Sequence, residues 1–391
     1  MTGARDRRLA GAICEWFARA RRPLPWRPPA GPTAGPAASS GQAPPALRNP
    51  YHALVSEAML QQTQAARVAE RFGPFIERFG TVEALAGAGE QEVLGAWTGL
   101  GYYRRARLLH QAARAIVQRH GAQVPADVEA LRALPGVGRY TAGAISSICF
   151  DRPEPIVDGN VARVLLRIEG REAPAGERDT ERWLWERAGA LVKGSAGVGG
   201  PALFNEGLME LGAVVCLPRS PRCDACPLAR WCRARAAGAQ GRIPAPKPAA
   251  QRKVIRCATV IVTDERGRVL VDRRPARGLW ADMWQAPTLE VPGDGRAIAR
   301  RRIEQWLGVC DLAAGEPFEF LATHRRLKFV PWQAPRLANG LARGLRDSAE
   351  ARAATESRFV TRRELAGLAM SSPQRRILQV EQVCAHGARM G

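Results

Sequence analysis

Residues 134–166 read LPGVGRYTAGAISSICFDRPEPIVDGNVARVLL, and the rest of the chain is organised around them. The stretch opens with a tight turn that carries Gly136 and Gly138, and residues 140–150 then read as a helix of small and apolar residues. Residues 128–134 also have helical spacing, so the context is helix, hairpin, helix. Glycines permit a positive φ, and the free N–H groups at the start of the following helix form an anion site. In a basic protein this predicts a sequence-independent clamp on DNA phosphates.

Asp158 follows that helix, in the segment PIVDGN at residues 155–160, and precedes an apolar-patterned helix at 161–168. One interpretation is an N-cap, because Asp and Asn are favoured where a helix begins. The functional interpretation is a carboxylate held beside a DNA-binding hairpin, where it faces a reacting sugar. Both can hold together, since a capping carboxylate stays ionised.

Length and charge restrict the class of protein. A chain of 391 residues is long enough for two domains, and its formal net charge of +21 indicates a polyanionic partner, nucleic acid before membrane. The chain has no run of about 18 apolar residues, so no transmembrane helix is expected. The N-terminus lacks the apolar core of a secretory signal. We therefore predict a soluble, intracellular protein.

Four of the nine cysteines are clustered as Cys216-x6-Cys223-x2-Cys226-x5-Cys232, which predicts a metal site in a reducing compartment. Structural zinc normally uses two CxxC-like pairs, which this spacing fits poorly. Ligation by thiolates alone suits an iron–sulfur cluster. The spacing by itself leaves both metals open.

Two further segments carry polar side chains in apolar or glycine-rich surroundings. Residues 51–71 have helical spacing, and Glu57 lies there beside an apolar stripe. A Glu in such a helix is commonly a surface residue, but a carboxyl in apolar surroundings has a raised pKa and can act as a general acid. Residues 97–106, WTGLGYYRRA, offer a tyrosine ring for insertion between bases. The alternative for its tyrosines is packing into the core.

The composition changes twice along the chain. Residues 28–45 are rich in Pro, Ala, Gly and Ser and are predicted to form a flexible loop. Residues 233–256 read as an interdomain linker, and residues 258–262, 264–267 and 269–271 then read as strand, turn and strand.

Taken together, these motifs resemble the MutY family of adenine DNA glycosylases, which belongs to the helix-hairpin-helix superfamily. The likeness is densest over residues 24–232 and thinner beyond 254. It implies a multidomain fold class: an all-α helix-hairpin-helix glycosylase domain with an iron–sulfur cluster loop, followed by an α+β Nudix-like (MutT-like) domain. The boundaries that it implies are 1–232, with the hairpin at 131–145, the cluster loop at 216–232 and an insertion at 28–48; a linker at 233–256; and a lesion-recognition domain at 257–391.

The resemblance also implies the roles of the residues at the reaction centre. Glu57 protonates the adenine, Asp158 stabilises or transiently traps the sugar cation, and Tyr140 and Asn160 flank the site and orient these groups. Glycosidic cleavage needs such a pair of carboxylates in opposed environments. The four clustered cysteines hold one 4Fe–4S cluster.

Further residues are expected to bind DNA. Gln62 and Tyr102 fill the gap left by a flipped adenine. Arg27 borders the base pocket, and Glu206 hydrogen-bonds the extruded base.

The loop that senses 8-oxoguanine in the family is usually Phe-Ser-His, and the aligned residues here are Ala322, Thr323 and His324. The hydroxyl and the imidazole are kept while the aromatic ring is lost.

The implied activity is monofunctional hydrolysis of adenine opposite 8-oxoguanine and, less well, opposite guanine. The implied partner is double-stranded DNA with A:8-oxoG or A:G mispairs. We expect a monomer without membrane association, cytoplasmic and associated with the nucleoid, with replication or repair factors as candidate partners.

Four rival functions are compatible with parts of the sequence. An endonuclease III-like glycosylase/lyase needs a Schiff-base lysine where this chain has Tyr140. A thymine-mismatch glycosylase can carry Tyr there, but Glu57 and the second domain disfavour it. A non-catalytic iron–sulfur DNA-binding protein would not need the two carboxylates. A Nudix hydrolase needs clustered glutamates to hold Mg²⁺, and residues 300–304 read RRRIE instead.

Overall fold

The computed structural model describes residues 2–27, 48–246, 253–291, 296–307, 311–322, 325–335 and 354–379. The chain divides into two compact units, which are Met1–Ala88 with Arg104–Pro248, and Gly89–Tyr103 with Ala249–Gly391. The second unit therefore also takes in a short piece of the N-terminal half. The predicted loop at 28–45, and Thr323 and His324, lie outside the described residues.

The first unit is helical throughout its described part. Its helices are α1 (Thr2–Ala20), α2 (Pro50–Leu60), α3 (Ala65–Arg78), α4 (Val82–Gly87), α6 (Arg104–His120), α7 (Val128–Arg132), α8 (Arg139–Phe150), α9 (Gly159–Glu169), α10 (Arg178–Gly194), α11 (Gly200–Val214) and α12 (Arg233–Ala236). Helices α1, α9, α10 and α11 pack around one apolar core that includes Ile13, Leu165 and Phe204.

The segment predicted as a linker, residues 233–256, includes residues that pack in the first unit. Ala234, Ala239 and Ile243 are buried in the core of the first unit. A strand of the second unit already begins at Lys253. These alanine and isoleucine side chains bury apolar surface, although the composition of the residues around them resembles that of a linker.

Helix α2 begins at a side-chain cap and ends at Leu60. Asn49 caps its start by accepting hydrogen bonds from the N–H groups of Tyr51 at 2.9 Å and His52 at 3.1 Å. The helical spacing predicted to run through 51–71 is interrupted, because α2 ends at Leu60 and Gln62 has a φ of 59°.

Arg105 explains this interruption. Its guanidinium donates to the carbonyl oxygens of Ala58 at 2.8 Å and Met59 at 2.6 Å, and to Thr63 Oγ1 at 3.0 Å. A continuing helix would need those carbonyls for its own next turn.

The second unit contains helix α5 (Glu90–Ala96) and two sheets. The strands are β1 (Lys253–Ile261), β2 (Val269–Arg273), β3 (Trp284–Gln285), β4 (Thr288–Val291), β5 (Ala313–Ala314), β6 (Phe318–Ala322), β7 (Arg325–Gln333) and β8 (Glu356–Val360). One sheet has the order β4-β1-β7-β5 with β6 also paired to β7, and the other has the order β3-β2-β8.

Three helices complete the second unit: α13 (Arg296–Leu307), α14 (Arg362–Gly367) and α15 (Ser372–Ile377). The predicted strands at 258–262 and 269–271 fall within or at the end of β1 and β2, so the strand–turn–strand prediction is confirmed. Among the described residues, no helix combines the length and apolar character that crossing a membrane requires.

Candidate active site

The hairpin between α7 and α8 is a tight turn whose glycines have separate tasks. The N–H of Val137 donates to the carbonyl of Leu134 at 3.2 Å across Pro135 and Gly136. Gly136 has a φ of 77°, and a Cβ there would lie 2.6 Å from Leu108 Cβ, so only glycine fits. Gly138 caps α8 and is exposed. The start of α8 is therefore open to a ligand, as the predicted phosphate clamp requires.

Asp158 is both the cap of α9 and a half-buried carboxylate. Its Oδ1 accepts a hydrogen bond from the N–H of Val161 at 2.7 Å, and its Oδ2 accepts one from Asn160 Nδ2 at 3.2 Å. Burial raises the pKa of Asp158 above its usual value, while the hydrogen bonds from Val161 and Asn160 act in the opposite direction. The capping interpretation is thus confirmed, and the carboxylate is held in one orientation.

A hydrogen-bond chain leads from Asp158 to the cysteine-rich loop. Asn160 donates to Asp158 and accepts, at its own Oδ1, from Arg163 Nη2 at 2.8 Å. Arg163 also donates to the carbonyl oxygens of Gly212 at 2.8 Å and Cys216 at 2.7 Å. The guanidinium therefore ties the start of α9 to α11 and to the first of the clustered cysteines.

Gly212 is required for this packing. A Cβ on Gly212 would lie 2.7 Å from Asn160 Cβ and 3.0 Å from the Asn160 backbone. Helix α11 thus presses directly on the residue that orients Asp158.

Glu57 lies inside the first unit, with only 5% of its surface exposed. Burial is the largest cause that raises its pKa, and the negative charges of Asp158 and Glu206 raise it further. The cation of Arg48 and a hydrogen bond from Tyr140 lower it, but burial prevails. Burial is thus the same cause that the apolar surroundings in the sequence suggested for a raised pKa.

Tyr140 stands between Glu57 and α11. It shares a hydrogen bond with Glu57, and its hydroxyl lies 2.9 Å from Met209 Sδ. Burial raises the pKa of Tyr140 well above its usual value, and the charges of Glu57 and Asp158 add to the rise. The phenol therefore stays neutral and can serve as donor or acceptor toward the two carboxyls.

The environments of the Glu57 and Asp158 carboxyls are less different than the sequence suggested. Burial raises the pKa of both Glu57 and Asp158. The two carboxyls differ in their hydrogen bonds, since Asp158 accepts from Val161 and Asn160, whereas Glu57 accepts from Tyr140. The difference in role has to come from these donors, because burial alone does not distinguish the two.

Glu206 and Arg27 meet at a second polar centre. Arg27 Nε donates to Glu206 Oε1 at 3.1 Å, and Arg27 Nη2 donates to Glu210 Oε2 at 3.1 Å. Glu210 is 1% exposed and also pairs with Arg22. The carboxylate of Glu206 is thereby balanced by buried cations.

Arg48 joins the two centres and was not predicted. It is 5% exposed, it lies 3.6 Å from Glu206 Oε1, and its charge lowers the pKa of Glu57. Its Nε donates to the carbonyl of Trp26 at 2.6 Å and its Nη2 to Ser56 Oγ at 2.9 Å. The available signal was that Arg48 is the only formally charged residue between Arg27 and Glu57.

Gln62 and Tyr102 are the predicted inserting residues. Both adopt positive φ, 59° and 48°, and both are exposed, Tyr102 by 45%. Gln62 belongs to the first unit and Tyr102 to the second. Their predicted insertion into DNA stays a prediction.

The four clustered cysteines line one small cavity of the first unit together with Arg167, Arg222 and Arg235. Arg167 Nη1 lies 3.4 Å from Cys216 Sγ and donates to the carbonyl of Leu217 at 2.6 Å. No carboxylate lines the cavity in the described part of the chain. Within that same part, no three metal-ligating side chains are grouped as a site for a single ion. A donor set of thiols beside cations has the chemistry that an iron–sulfur cluster requires.

Comparison with family models supports the two-part architecture. Residues 55–189 match the model described as HhH-GPD superfamily base excision DNA repair protein, and residues 258–380 match the NUDIX domain model. A solved structure of a thermostable thymine-DNA glycosylase is 27% identical with a TM-score of 0.49, covering 61% of this chain and all of that one.

Curated relatives were found in mammals and bacteria. The adenine DNA glycosylase of Rattus norvegicus is 41% identical over 234 residues, which are 60% of this chain and 43% of the relative. That of Mycolicibacterium smegmatis is 42% identical over 228 residues, 58% of this chain and 69% of the relative. The chain spans about four-tenths of the length of the mammalian relatives that it matches. Because the match to the mycobacterial protein exceeds two thirds of its length, the chain belongs to the adenine DNA glycosylase family.

Proposed function

We propose that this protein is a monofunctional DNA glycosylase that flips adenine out of the duplex and removes it by hydrolysis. The preferred mispair is adenine opposite 8-oxoguanine, with adenine opposite guanine as a poorer substrate. The observation that carries the proposal is the buried carboxyl of Glu57, which shares a hydrogen bond with Tyr140 within the field of the capped Asp158 carboxylate. A base excised by protonation of its ring needs this arrangement.

Glu57 supplies the proton in this mechanism. Burial raises its pKa and so favours the protonated form, from which it can protonate the leaving adenine. Tyr140 stays neutral and steadies the acid through the hydrogen bond that they share. Departure of the protonated base leaves positive charge on the sugar.

Asp158 stabilises or transiently traps that charge, and water then completes the hydrolysis. Its orientation is fixed by the N–H of Val161 and by Asn160, so no reorganisation is needed when the charge develops. Tyr140 stands where a lyase would need a Schiff-base lysine, which favours hydrolysis without strand cleavage.

The flipped adenine is proposed to meet Glu206 and Arg27, while Gln62 and Tyr102 fill the gap in the duplex. Gly136, Gly138 and the open start of α8 hold the phosphate backbone. The preference for 8-oxoguanine rests on the resemblance of residues 322–324, where Thr323 and His324 supply the polar groups.

Cys216, Cys223, Cys226 and Cys232 are proposed to hold one 4Fe–4S cluster, which would fix the fold of the loop at 216–232 when bound. Arg163 and Arg167 then attach that loop to α9. Replication or repair factors are further proposed partners, and the proposed location is the cytoplasm, at the nucleoid.

Single-turnover base release tests the proposal, with duplexes that hold A:8-oxoG, A:G or T:G and with the wild type and Asp158→Asn. We expect adenine release to be fastest opposite 8-oxoG, to be lost in the variant, and to need alkali before the strand breaks. Thymine release, or strand cleavage without alkali, would replace the proposal with a rival glycosylase. Binding without any release would leave only a DNA-binding role.

A further inference from the structure

Residues 89–103 belong to the second unit, although they lie in the N-terminal half of the chain. The ring of Tyr102 at the end of this segment is 45% exposed. The other large apolar and aromatic side chains of the segment are buried, and they are those of Val93, Leu94, Trp97, Leu100 and Tyr103. The segment therefore presents one exposed ring on a base that is packed inside the second unit.

The backbone that carries this ring has a conformation that side chains rarely adopt. Gly99, Gly101 and Tyr102 have φ values of 92°, 69° and 48°. Glycine adopts a positive φ without a steric penalty, whereas a tyrosine in this region is strained and persists only where its surroundings hold it. The contacts of the residues on either side of Tyr102 therefore decide where its ring lies.

Before Tyr102, the loop is closed by Trp97. The indole N–H of Trp97 donates to the carbonyl of Gly101 at 3.1 Å, and the N–H of Leu100 donates to the carbonyl of Trp97 at 3.2 Å. The N–H of Trp97 itself donates to the carbonyl of Val93 on α5 at 3.0 Å. This side of the loop is thus attached to α5.

After Tyr102, the loop is attached to the C-terminal part of the second unit. The hydroxyl of Tyr103 donates to the carbonyl of Met370 at 3.0 Å, in the segment between α14 and α15, and both residues are buried. Gly95 of α5 lies near the same region, since a Cβ there would be 3.7 Å from the carbonyl oxygen of Gly367. The Tyr103 hydrogen bond therefore joins two segments that are 267 positions apart.

The acceptor of this hydrogen bond is fixed within an apolar core. Met370 is 0% exposed and packs in one cluster with Trp284 and Leu365. The N–H of Trp284 donates to the carbonyl of Ala369, directly before the acceptor, at 2.8 Å. Because close-packed interiors yield little, the carbonyl of Met370 is a rigid point of attachment for Tyr103.

We propose that Tyr103 is a positioning residue, whose hydroxyl on the Met370 carbonyl fixes the backbone from which the Tyr102 ring enters the duplex. The inference rests on the insertion of Tyr102 in the proposed function. A ring that is oriented before it meets DNA loses less conformational freedom on binding. Because the point of attachment lies between α14 and α15, the second unit sets the position of the inserted ring.

Tyr103→Phe tests this inference, because it removes the hydroxyl and keeps the aromatic ring. The full chain is mixed rapidly with an A:8-oxoG duplex that carries 2-aminopurine next to the 8-oxoguanine, where its fluorescence reports a change of stacking. We expect the fluorescence change to be about fivefold slower in the variant than in the wild type, in line with the loss of one hydrogen bond.

Tyr51→Phe is the matched control. The hydroxyl of Tyr51 is also buried and donates to a backbone carbonyl, that of Phe79, at 2.7 Å. The two variants therefore lose the same kind of hydrogen bond, and urea unfolding should show comparable losses of stability. Tyr51→Phe should nevertheless give the fluorescence change of the wild type, because it lies in the first unit and does not hold the loop of Tyr102.

Combination with Tyr102→Ala shows whether Tyr103 acts through Tyr102. Tyr102→Ala should itself slow the fluorescence change, and the addition of Tyr103→Phe should slow it no further. A wild-type response of Tyr103→Phe, or additive effects in the double variant, would overturn the inference and leave insertion of Tyr102 in place. A wild-type response of Tyr102→Ala would overturn the proposed insertion and this inference with it.

Discussion

Asn160 donates a hydrogen bond from its side-chain amide to Asp158 Oδ2 at 3.2 Å, two residues away at the start of the same helix. The amide oxygen of Asn160 is occupied by Arg163, so the amide cannot rotate to offer its oxygen to the carboxylate. Asp158 is thereby held with a donor on each oxygen.

Replacement of Asn160 by Leu should slow base release while leaving DNA binding intact. The hydrogen bond from the Asn160 amide lowers the pKa of Asp158, so its loss lets burial raise that pKa further. We expect a fall in the single-turnover rate of roughly tenfold to a hundredfold, in line with the loss of one hydrogen bond to a charged group. The low-pH limb of the rate profile should move to higher pH, and an unmoved limb would contradict this role.

Substitutions of Asp158 should separate its capping from its chemistry. Asn keeps a side-chain oxygen for the N–H of Val161, whereas Ala removes the cap. We expect both variants to lose base release, but only Asp158→Ala to lose about 1 kcal/mol of unfolding free energy. Urea unfolding of the two variants measures this, and equal losses would show that the cap contributes nothing.

The raised pKa of Glu57 has a consequence for stability. A carboxyl whose folded-state pKa lies above its unfolded value binds more protons when folded, so stability falls as pH rises from the unfolded pKa through the folded one. Glu57→Gln should therefore be inactive yet more stable than the wild type at pH 8. The difference in stability should shrink toward pH 4. Thermal unfolding of both proteins between pH 4 and pH 8 measures it. The opposite trend would show that Glu57 is ionised and well paired.

Arg48 should set the pH range of the reaction. Its cation lowers the pKa of Glu57, so Arg48→Met should raise that pKa and move the high-pH decline in base release to higher pH. The loss of its hydrogen bonds to Trp26 and Ser56 should also cost about 1–3 kcal/mol. Arg48→Lys keeps the charge and serves as the control, which should leave the pH limb in place.

Gly212→Ala should disturb the active site indirectly, by displacing Asn160. The new Cβ would lie 2.7 Å from Asn160 Cβ, so α11 or the start of α9 must move. Such overpacking costs roughly 1–3 kcal/mol, and the rate should fall because Asn160 no longer holds Asp158 in place. Gly189→Ala on α10 is the control, since a Cβ there meets nothing within 4 Å and stability should not fall.

The sequence predicted those parts of the molecule that local rules determine. The turn around Gly136 and the cap at Asp158 each follow from residues close in sequence, and both are present. The burial of Glu57 was only one of two interpretations, because periodicity places it beside the apolar stripe without saying what covers it.

Contacts between distant segments could not be predicted in this way. Arg48 reaches Glu206 across more than 150 residues, and Arg105 ends α2 from α6. Arg163 and Arg167 stand four residues apart in an apolar-patterned helix, which was a signal that both are buried. Their acceptors, however, are backbone carbonyls of a loop some 50 residues later, which no local pattern shows.

The termination of α2 by Arg105 has a mechanical consequence. Glu57 is buried in the last turns of the helix, and Gln62 is exposed just beyond its end. Arg105 holds the segment after the helix by a hydrogen bond to Thr63. Because the same guanidinium also holds the carbonyl oxygens of Ala58 and Met59, it fixes the backbone on both sides of the end of α2, and the positions of Glu57 and Gln62 are set by one side chain.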